Sequence, residues 1–139
     1  MILVDTSVLY AGIDRGDTHH DLCRSWLDAP LDALVLPPTV LAEVCYLVDR
    51  AIGPEAEAAF LDDVGTTDEA PYQLVDLAGA DLARMSQLVR QYADRRLGGT
   101  DASIVAVCER LGITTVATLN HRDFTNVRPR HTAAFSIVP

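Results

Sequence analysis

The chain has 139 residues, about the size of one domain, and 49% of them are hydrophobic, which excludes an intrinsically disordered protein. Its formal net charge of −9, from 20 acidic and 11 basic residues, argues against nonspecific nucleic-acid binding. All the basic residues are Arg, so chemistry that needs a Lys is excluded. No apolar stretch is long enough to span a membrane, and we expect a single domain over residues 1–139.

The amino terminus and the cysteines bear on the cellular compartment. An apolar strand is predicted from Met1 onward, which leaves no room for a signal peptide. Cys23, Cys45 and Cys108 are odd in number and widely spaced, a pattern that predicts neither a disulfide framework nor a zinc site. We therefore expect a reduced, cytoplasmic protein that does not associate with a membrane.

In chain order, short apolar runs alternate with stretches of helical periodicity. The predicted strands cover 1–4, 33–36, 72–76 and 114–118, and 135–138 can add a short edge strand. The predicted helices cover 6–13, 20–29, 39–50, 54–64, 80–94 and 101–111. Thr100 is predicted to cap the last helix and Gly112 to end it. This alternation predicts a three-layer α/β/α domain whose central parallel sheet has four to five strands.

The first strand ends on a carboxylate, Asp5, and two interpretations of this residue are open. Asp5 could be the N-cap of the next helix, with its side-chain oxygen accepting a bond from a free backbone amide. Alternatively, it could lie at the carboxyl end of a central buried strand, where open α/β sheets place their functional sites. Asp5 alone does not decide between the two.

Two helices carry carboxylates on their apolar sides. Glu43 is predicted to point between Val40 and Leu47, within the apolar stripe of its helix, where an unpaired carboxylate is costly to bury. A position at the margin of the stripe, within reach of solvent, is the alternative. Asp101 shares a face with Ile104, but the helix dipole also favours acidic residues in a first turn.

If Asp5, Glu43 and Asp101 converge at one end of the sheet, their mutual repulsion needs a counter-charge. Two carboxylates 4 Å apart repel by about 4 kcal/mol at an effective dielectric constant of 20. In a chain without Lys, a hard divalent cation such as Mg²⁺ or Mn²⁺ is the natural counter-charge. Such an ion can activate water and stabilise charge on a phosphodiester, so an acidic cluster of this kind predicts phosphoryl-transfer chemistry.

Four segments of the sequence also carry a family likeness: VDTSVL (4–9), LAEV (41–44), GGTDASIVAV (98–107) and TLNHRDF (118–124). In this order and spacing the chain resembles PIN-domain ribonucleases, and among them the VapC toxins of type II toxin–antitoxin modules. The resemblance implies that Asp5, Glu43 and Asp101 are metal ligands. It also implies that Thr6 and Thr100 are supporting hydroxyl residues beside the first and third of these ligands.

One position departs from the pattern of that family. Where a fourth acidic residue is common, this chain has Asn120, whose amide oxygen carries no charge. Either Asn120 acts in an outer shell of the site, or Asp123 compensates one turn later. A PIN-like module that has lost catalysis and only binds RNA or a protein partner is therefore the alternative function.

The resemblance further implies Mg²⁺-dependent cleavage of a structured RNA (tRNA or rRNA), with Mn²⁺ as a substitute ion. It implies a homodimer and a basic VapB-type antitoxin, which the net charge suits. Arg95, Arg96 and Arg122 flank the predicted site and are candidates for binding RNA phosphates. Tyr46, Tyr92 and Trp26 lie at core-like helical spacing, so base stacking is not expected.

Two other families that use a strand-terminal Asp fit the sequence less well. A dehalogenase-type phosphatase needs a second Asp two residues after the first, where this chain has Ser7. It also typically uses a Lys, as does a response-regulator receiver domain, and the chain has none. Both are therefore disfavoured.

Overall fold

The structure, a computed structural model, describes residues 1–29, 32–65 and 67–139. Within them, six strands form one parallel sheet in the order β3–β4–β2–β1–β5–β6. The strands are β1 (Ile2–Val4), β2 (Leu34–Leu36), β3 (Val64–Gly65), β4 (Tyr72–Leu74), β5 (Thr115–Ala117) and β6 (Ser136–Val138). The helices are α1 (Thr6–Ile13), α2 (His20–Leu27), α3 (Pro38–Ala51), α4 (Pro54–Asp62), α5 (Gly79–Gln91), α6 (Gly99–Leu111) and α7 (His121–Asn126), with a 3-10 turn at Ala93–Arg95.

The predicted three-layer α/β/α fold with a parallel sheet is confirmed, but the predicted count of four to five strands is too low. The extra strand is β3, which the sequence assigned to the end of a helix over 54–64. That helix ends at Asp62, and Val64 pairs with Tyr72 of β4. A two-residue strand is too short to show any periodicity of its own. The six-residue helix α7 also escaped prediction for lack of length.

The central strands of the sheet are apolar because helices cover them on both faces. Leu3 of β1 lies opposite Val35 of β2 on one side and opposite Val116 of β5 on the other. All three side chains are fully buried. On the helical layers, α5 packs against α6, and α1 contacts both α2 and α3.

The chain path places a crevice at the carboxyl edge of the sheet. From β1 the chain builds outward through β2, and it later returns to add β5 on the other side of β1. Ligand sites of open α/β sheets lie outside the carboxyl ends of strands at such a reversal of strand order. Asp5 follows β1 and Thr118 follows β5, so both residues lie at this point.

The ends of α6 agree only partly with the prediction. Gly112, at a φ of +70°, ends the helix in the left-handed conformation that glycine tolerates, as predicted. The predicted cap at Thr100 is wrong, because α6 begins at Gly99 with Gly98 as its N-cap, so Thr100 lies inside the first turn. Among the described residues, no helix has both the length and the apolar character that crossing a membrane requires.

Candidate active site

Asp5 is buried at the carboxyl end of β1, with 4% of its surface exposed. It occupies the N-cap position of α1, but its side chain accepts no bond from the helix amides. Instead, its Oδ2 accepts hydrogen bonds from Ser7 Oγ and from Thr118 Oγ1, each at 2.7 Å. The capping interpretation is therefore wrong, and the carboxylate is held at the carboxyl ends of β1 and β5 by hydroxyl groups that follow both strands.

The two hydroxyl groups that hold Asp5 also hold the loop after β5. Ser7 Oγ accepts a bond from the Leu119 amide at 3.0 Å, and Thr118 Oγ1 accepts one from the Asn120 amide at 2.9 Å. Neither Ser7 nor Thr118 was predicted as a site residue. The available signal was that each is a polar residue within three positions of the carboxyl end of one of two adjacent strands.

Glu43 is exposed, which corrects the prediction that it points into the apolar stripe of α3. The fully buried residues of this helix are Val40, Val44 and Val48, one i, i+4 ridge, and Glu43 lies beside that ridge. Its Oε2 accepts a hydrogen bond of 2.6 Å from Thr6 Oγ1. The carboxylate thus reaches solvent, yet the residue after Asp5 ties it to the start of α1.

Asp101 lies in the first turn of α6 and is partly buried. Its burial, together with the negative charges of Asp5, Asp123 and Glu43, raises the pKa of its carboxyl group to about 7. Burial is the larger cause, and the contributions of the other three carboxylates show that they lie within electrostatic range of Asp101. Asp5, Glu43, Asp101 and Asp123 are called the acidic cluster below.

Asn120 and Asp123, the two residues predicted for the fourth position of the site, both follow β5 and contact each other. Asn120 is the N-cap of α7, and its Oδ1 accepts a bond from the Asp123 amide. Its Nδ2 donates to Asp123 Oδ2 at 2.8 Å. Because Asp123 also raises the pKa of Asp101, this geometry favours Asp123 as the fourth charge and Asn120 as the residue that orients it.

Thr100 supports the site through its backbone rather than through its hydroxyl group. Its carbonyl oxygen accepts a 2.6 Å bond from Ser103 Oγ, and Ser103 Oγ lies 2.5 Å from Thr39 Oγ1 at the start of α3. Ser103 is fully buried. This contact joins the amino-terminal turns of α3 and α6, the two helices that carry Glu43 and Asp101.

The acidic cluster is an oxygen-only donor set, which suits a hard divalent cation. Across 1–29, 32–65 and 67–139, no three His, Cys, Asp or Glu side chains converge closely enough to hold one ion together. The other three carboxylates lie within electrostatic range of Asp101 but are not drawn together on one point. An ion held here would have to keep several of its waters, as Mg²⁺ usually does in proteins.

The three predicted RNA-binding arginines lie together in an open cavity of about 700 Å³. Its lining residues are Asp94, Arg95, Arg96, Asn120, Arg122, Asp123 and Asn126. All three arginines are exposed, and none forms an ion pair with any carboxylate in the part of the chain that the structure describes. This cavity, called the arginine cleft below, meets the acidic cluster at Asp123.

A larger cavity, of about 910 Å³, lies at the opposite edge of the sheet and contains no predicted site residue. Tyr72 and Leu34, the first residues of β4 and β2, contribute to its lining. In an open α/β fold the amino ends of the strands are not where ligands bind. The larger cavity is therefore not the candidate active site.

Tyr46 differs most from its prediction. It was expected in the core, but 58% of its surface is exposed. The guanidinium carbon of Arg50 lies 5.4 Å from the centroid of its ring, and Arg50 Nη1 donates to the Tyr46 hydroxyl at 2.8 Å. An aromatic ring that is exposed and held in place is available for contact with a ligand.

The fold and this site define the class of protein. A parallel sheet carries acidic residues at the reversal of strand order, and the sequence pattern of the PIN domain matches residues 2–128. The chain belongs to the PIN-domain family.

One relative of known sequence and two solved structures are similar to the chain. Ribonuclease VapC26 of Mycobacterium tuberculosis is 32% identical over 138 residues, which is 99% of this chain and 100% of that protein. The solved structure of VapC20, a sarcin–ricin loop cleaving toxin of the same organism, has a TM-score of 0.72 at 23% identity and covers 84% of this chain and 87% of that one. A toxin–antitoxin complex from Klebsiella pneumoniae has a TM-score of 0.67 at 17% identity, covering 100% and 97%.

Proposed function

We propose that the protein is a metal-dependent endoribonuclease, the toxin of a type II toxin–antitoxin module, which cleaves a structured RNA (tRNA or rRNA) and so inhibits translation. The observation that carries the proposal is the placement of Asp5 at the carboxyl ends of β1 and β5, with Glu43 bound to the neighbouring Thr6 and with Asp101 within electrostatic range of both carboxylates. The ribonuclease relative over nearly the whole chain supports the same activity.

In this proposal, Asp5, Glu43 and Asp101 hold Mg²⁺, for which Mn²⁺ can substitute. The bound ion would supply an activated water and would neutralise charge on the phosphodiester. Ser7 and Thr118 fix one oxygen of Asp5 and leave Oδ1 without a hydrogen bond among the described residues. A carboxylate fixed in this way can offer its second oxygen with little loss of conformational freedom.

The arginine cleft gives the proposal a place for the RNA backbone. Arg95 and Arg96 enter it from the turn before α6, and Arg122 enters it from α7. In a chain of net charge −9, three exposed arginines without carboxylate partners concentrate positive potential beside the acidic cluster. Forked guanidinium groups suit phosphate oxygens, so we assign the phosphates that flank the scissile bond to this cleft.

We also propose a VapB-type antitoxin and a homodimer as the assembly. The solved toxin–antitoxin complex supports the antitoxin by its shared fold. The excess of acidic residues suits a basic partner. Sedimentation of the purified chain with and without an antitoxin would test both, and a monomer at micromolar concentration would contradict the homodimer. A cytoplasmic location stays a prediction, which cell fractionation would test.

The deciding experiment is cleavage of total bacterial RNA by the purified protein, with mapping of the new 5′ ends. We expect discrete cuts with Mg²⁺ or Mn²⁺ and none with EDTA or with Asp5→Asn. Asp62→Asn is the matched control, because it removes an exposed carboxylate of α4 outside the site and should cut like the wild type.

Absence of cuts under any divalent ion would contradict the nuclease and favour the alternative, a module that only binds RNA or protein. Cuts that persist in Asp5→Asn would indicate a contaminating ribonuclease. Cuts by the wild type at discrete sites in tRNA or rRNA would identify the target class in the same experiment.

A further inference from the structure

The exposed face of α3 carries an ordered stripe that begins at the acidic cluster. Glu43, Tyr46 and Arg50 occupy positions i, i+3 and i+7, so they follow one another along a single face of the helix. All three are exposed. Along the helix axis, Tyr46 lies about 4.5 Å and Arg50 about 10 Å beyond Glu43.

We propose that Tyr46 is a stacking platform for a nucleobase of the single-stranded RNA beside the cleavage site, and that Arg50 binds a phosphate of the same strand. The proposal rests on the proposed function and adds a specificity-determining contact to it. Single-stranded RNA is recognised largely by stacking of splayed bases on aromatic rings, together with cationic contacts to the backbone. The α3 stripe supplies both of these groups in line with the proposed metal ligand Glu43.

The ring of Tyr46 is already held in place. Its hydroxyl accepts the bond from Arg50 Nη1, one helical turn further along α3. Fixing a side chain before binding reduces the entropy lost when a ligand binds. A tyrosine exposed to 58% but held in this way costs little to use as a stacking surface.

Arg50 is the cation of the stripe, and in the proposed function the metal ion would neutralise its carboxylate, Glu43, so the stripe suits an RNA strand that also contacts the metal. Arg50 and Glu43 lie on the same side of Tyr46, whereas Asp49 lies on the other side, about 100° round the helix from Arg50. A phosphate that follows the stripe therefore meets the guanidinium group first. A strand whose scissile phosphate lies at the acidic cluster can continue along this face without crossing Asp49.

The test uses the Asp5→Asn background, so that binding is measured without turnover. The probe is a short single-stranded RNA that contains 2-aminopurine, whose fluorescence is quenched on stacking, and affinity is followed in parallel by anisotropy. We expect Tyr46→Leu to weaken binding about ten- to a hundredfold and to abolish the quenching. Tyr46→Trp should preserve both, because it keeps an aromatic face. Arg50→Gln should weaken binding and reduce its dependence on salt.

Matched controls come from α5, which also has exposed apolar and cationic residues. Leu82→Ala removes an exposed apolar side chain, and Arg90→Gln removes an exposed charge, so neither should change binding or quenching. Equal effects of Tyr46→Leu and Leu82→Ala would overturn the proposal. So would unchanged RNA binding in Tyr46→Leu accompanied by loss of the homodimer or of antitoxin binding, which would make this face a protein interface.

This outcome is separable from the proposed function. If the wild type cuts RNA, and Tyr46→Leu cuts the same sites with the same KM and kcat, the nuclease stands and the stacking platform fails. If the wild type cuts nothing while 2-aminopurine is quenched by Tyr46 alone, the platform stands and the nuclease fails.

Discussion

Asp101 and Glu109 lie at opposite ends of one helix, α6, and their carboxylates have opposite surroundings. Burial and three neighbouring carboxylates raise the pKa of Asp101 to about 7. Burial would also raise the pKa of Glu109, but hydrogen bonds from Arg84 and from the Arg130 amide, together with the charges of both arginines, lower it. The two groups share a helix and differ in whether a cation accompanies them.

This difference shows that the helix dipole is the smaller effect here. The dipole favours an ionised acid in the first turn and disfavours one in the last turn, by about 0.3–1 kcal/mol each. Asp101 occupies the first turn and Glu109 the last, yet their pKa values shift in the opposite sense to this expectation. Glu109 has a structural role, and the guanidinium group of Arg84 supplies its counter-charge. The acidic cluster around Asp101 has none among the described residues, as expected of a site that binds a cation.

The largest effect that we expect from the difference between Asp101 and Glu109 is on the rate of RNA cleavage. Asp101→Asn should reduce RNA cleavage by a thousandfold or more, at least about 4 kcal/mol of transition-state stabilisation, because the proposed metal ligand loses its charge. Glu109→Gln should stay within about threefold of the wild type, since its carboxylate faces Arg84 and not the crevice. Single-turnover cleavage, with the folded fraction checked by circular dichroism, measures both.

An Asp101→Asn variant that keeps full activity would remove Asp101 from the metal site. Loss of activity in folded Glu109→Gln would show that the two ends of α6 are not independent. It would contradict the distinction between a site residue, Asp101, and a structural residue, Glu109.

The next largest effect concerns stability at the other end of the helix. Arg84→Met should destabilise the fold by about 3 kcal/mol, because Glu109 would stay buried without its bidentate partner. Urea unfolding of this variant and of Arg84→Met/Glu109→Leu measures the effect, and the double variant should recover most of the loss.

Arg24→Met is the matched control, because the ion pair of Arg24 with Asp28 is exposed. Exposed pairs contribute little, so this variant should unfold at nearly the same urea concentration as the wild type. A loss as large as that of Arg84→Met would show that burial does not distinguish the two pairs.

A third effect is the pH dependence of the metal-free protein. Because folding raises the pKa of Asp101 from about 4 to about 7, the folded form holds an extra proton between these values. The cost of ionising Asp101 is therefore absent near pH 4 and fully present above pH 7. Allowing for partial exposure, we expect stability to fall by roughly 2 kcal/mol from pH 5 to pH 8 through this group.

Urea unfolding in EDTA at several pH values checks this effect. The contribution of Glu109 does not interfere, because its lowered pKa makes stability fall only as the pH drops below about 4.5. Asp101→Asn should flatten the curve between pH 5 and pH 8, and Mg²⁺ should stabilise the wild type most at pH 8. An unchanged slope in Asp101→Asn would contradict the assignment.

The sequence predicted where a residue lies when a local signal on the backbone decides its position. Asp5 and Asp101 follow a strand end and a glycine turn, and both signals are local. It failed at Tyr46 because Leu41, Cys45 and Leu47 make the apolar stripe of α3 broad, so that periodicity leaves the inward direction open. Packing selects the valine ridge and turns Tyr46 outward.

Contacts between distant parts of the chain were also beyond the sequence. Thr118 lies 113 residues from Asp5, and Arg84 lies 25 residues from Glu109, so neither pairing leaves a periodic signal. The strand order places the first pair together, and the packing of α5 against α6 places the second. Eight arginines lie after residue 80, and from the sequence alone each of them could equally have been solvated. The fold decides which of them pair with a buried acid and which enter the cleft.

The smallest predicted effect falls on the hydroxyl groups that hold Asp5. Ser7→Ala should weaken Mn²⁺ binding and RNA cleavage by about tenfold each, because the carboxylate keeps the Thr118 bond but gains freedom to rotate. Calorimetric titration with Mn²⁺ gives a readout that does not depend on turnover.

Thr118→Ser should behave like the wild type, whereas Thr118→Val should match Ser7→Ala. Ser86→Ala, on the exposed face of α5, is the control that should change neither quantity. If Thr118→Val binds Mn²⁺ as tightly as Thr118→Ser, the hydroxyl groups only hold the loop after β5. They would then contribute nothing to cation binding at the acidic cluster, which is what distinguishes the Asp101 end of α6 from the Glu109 end.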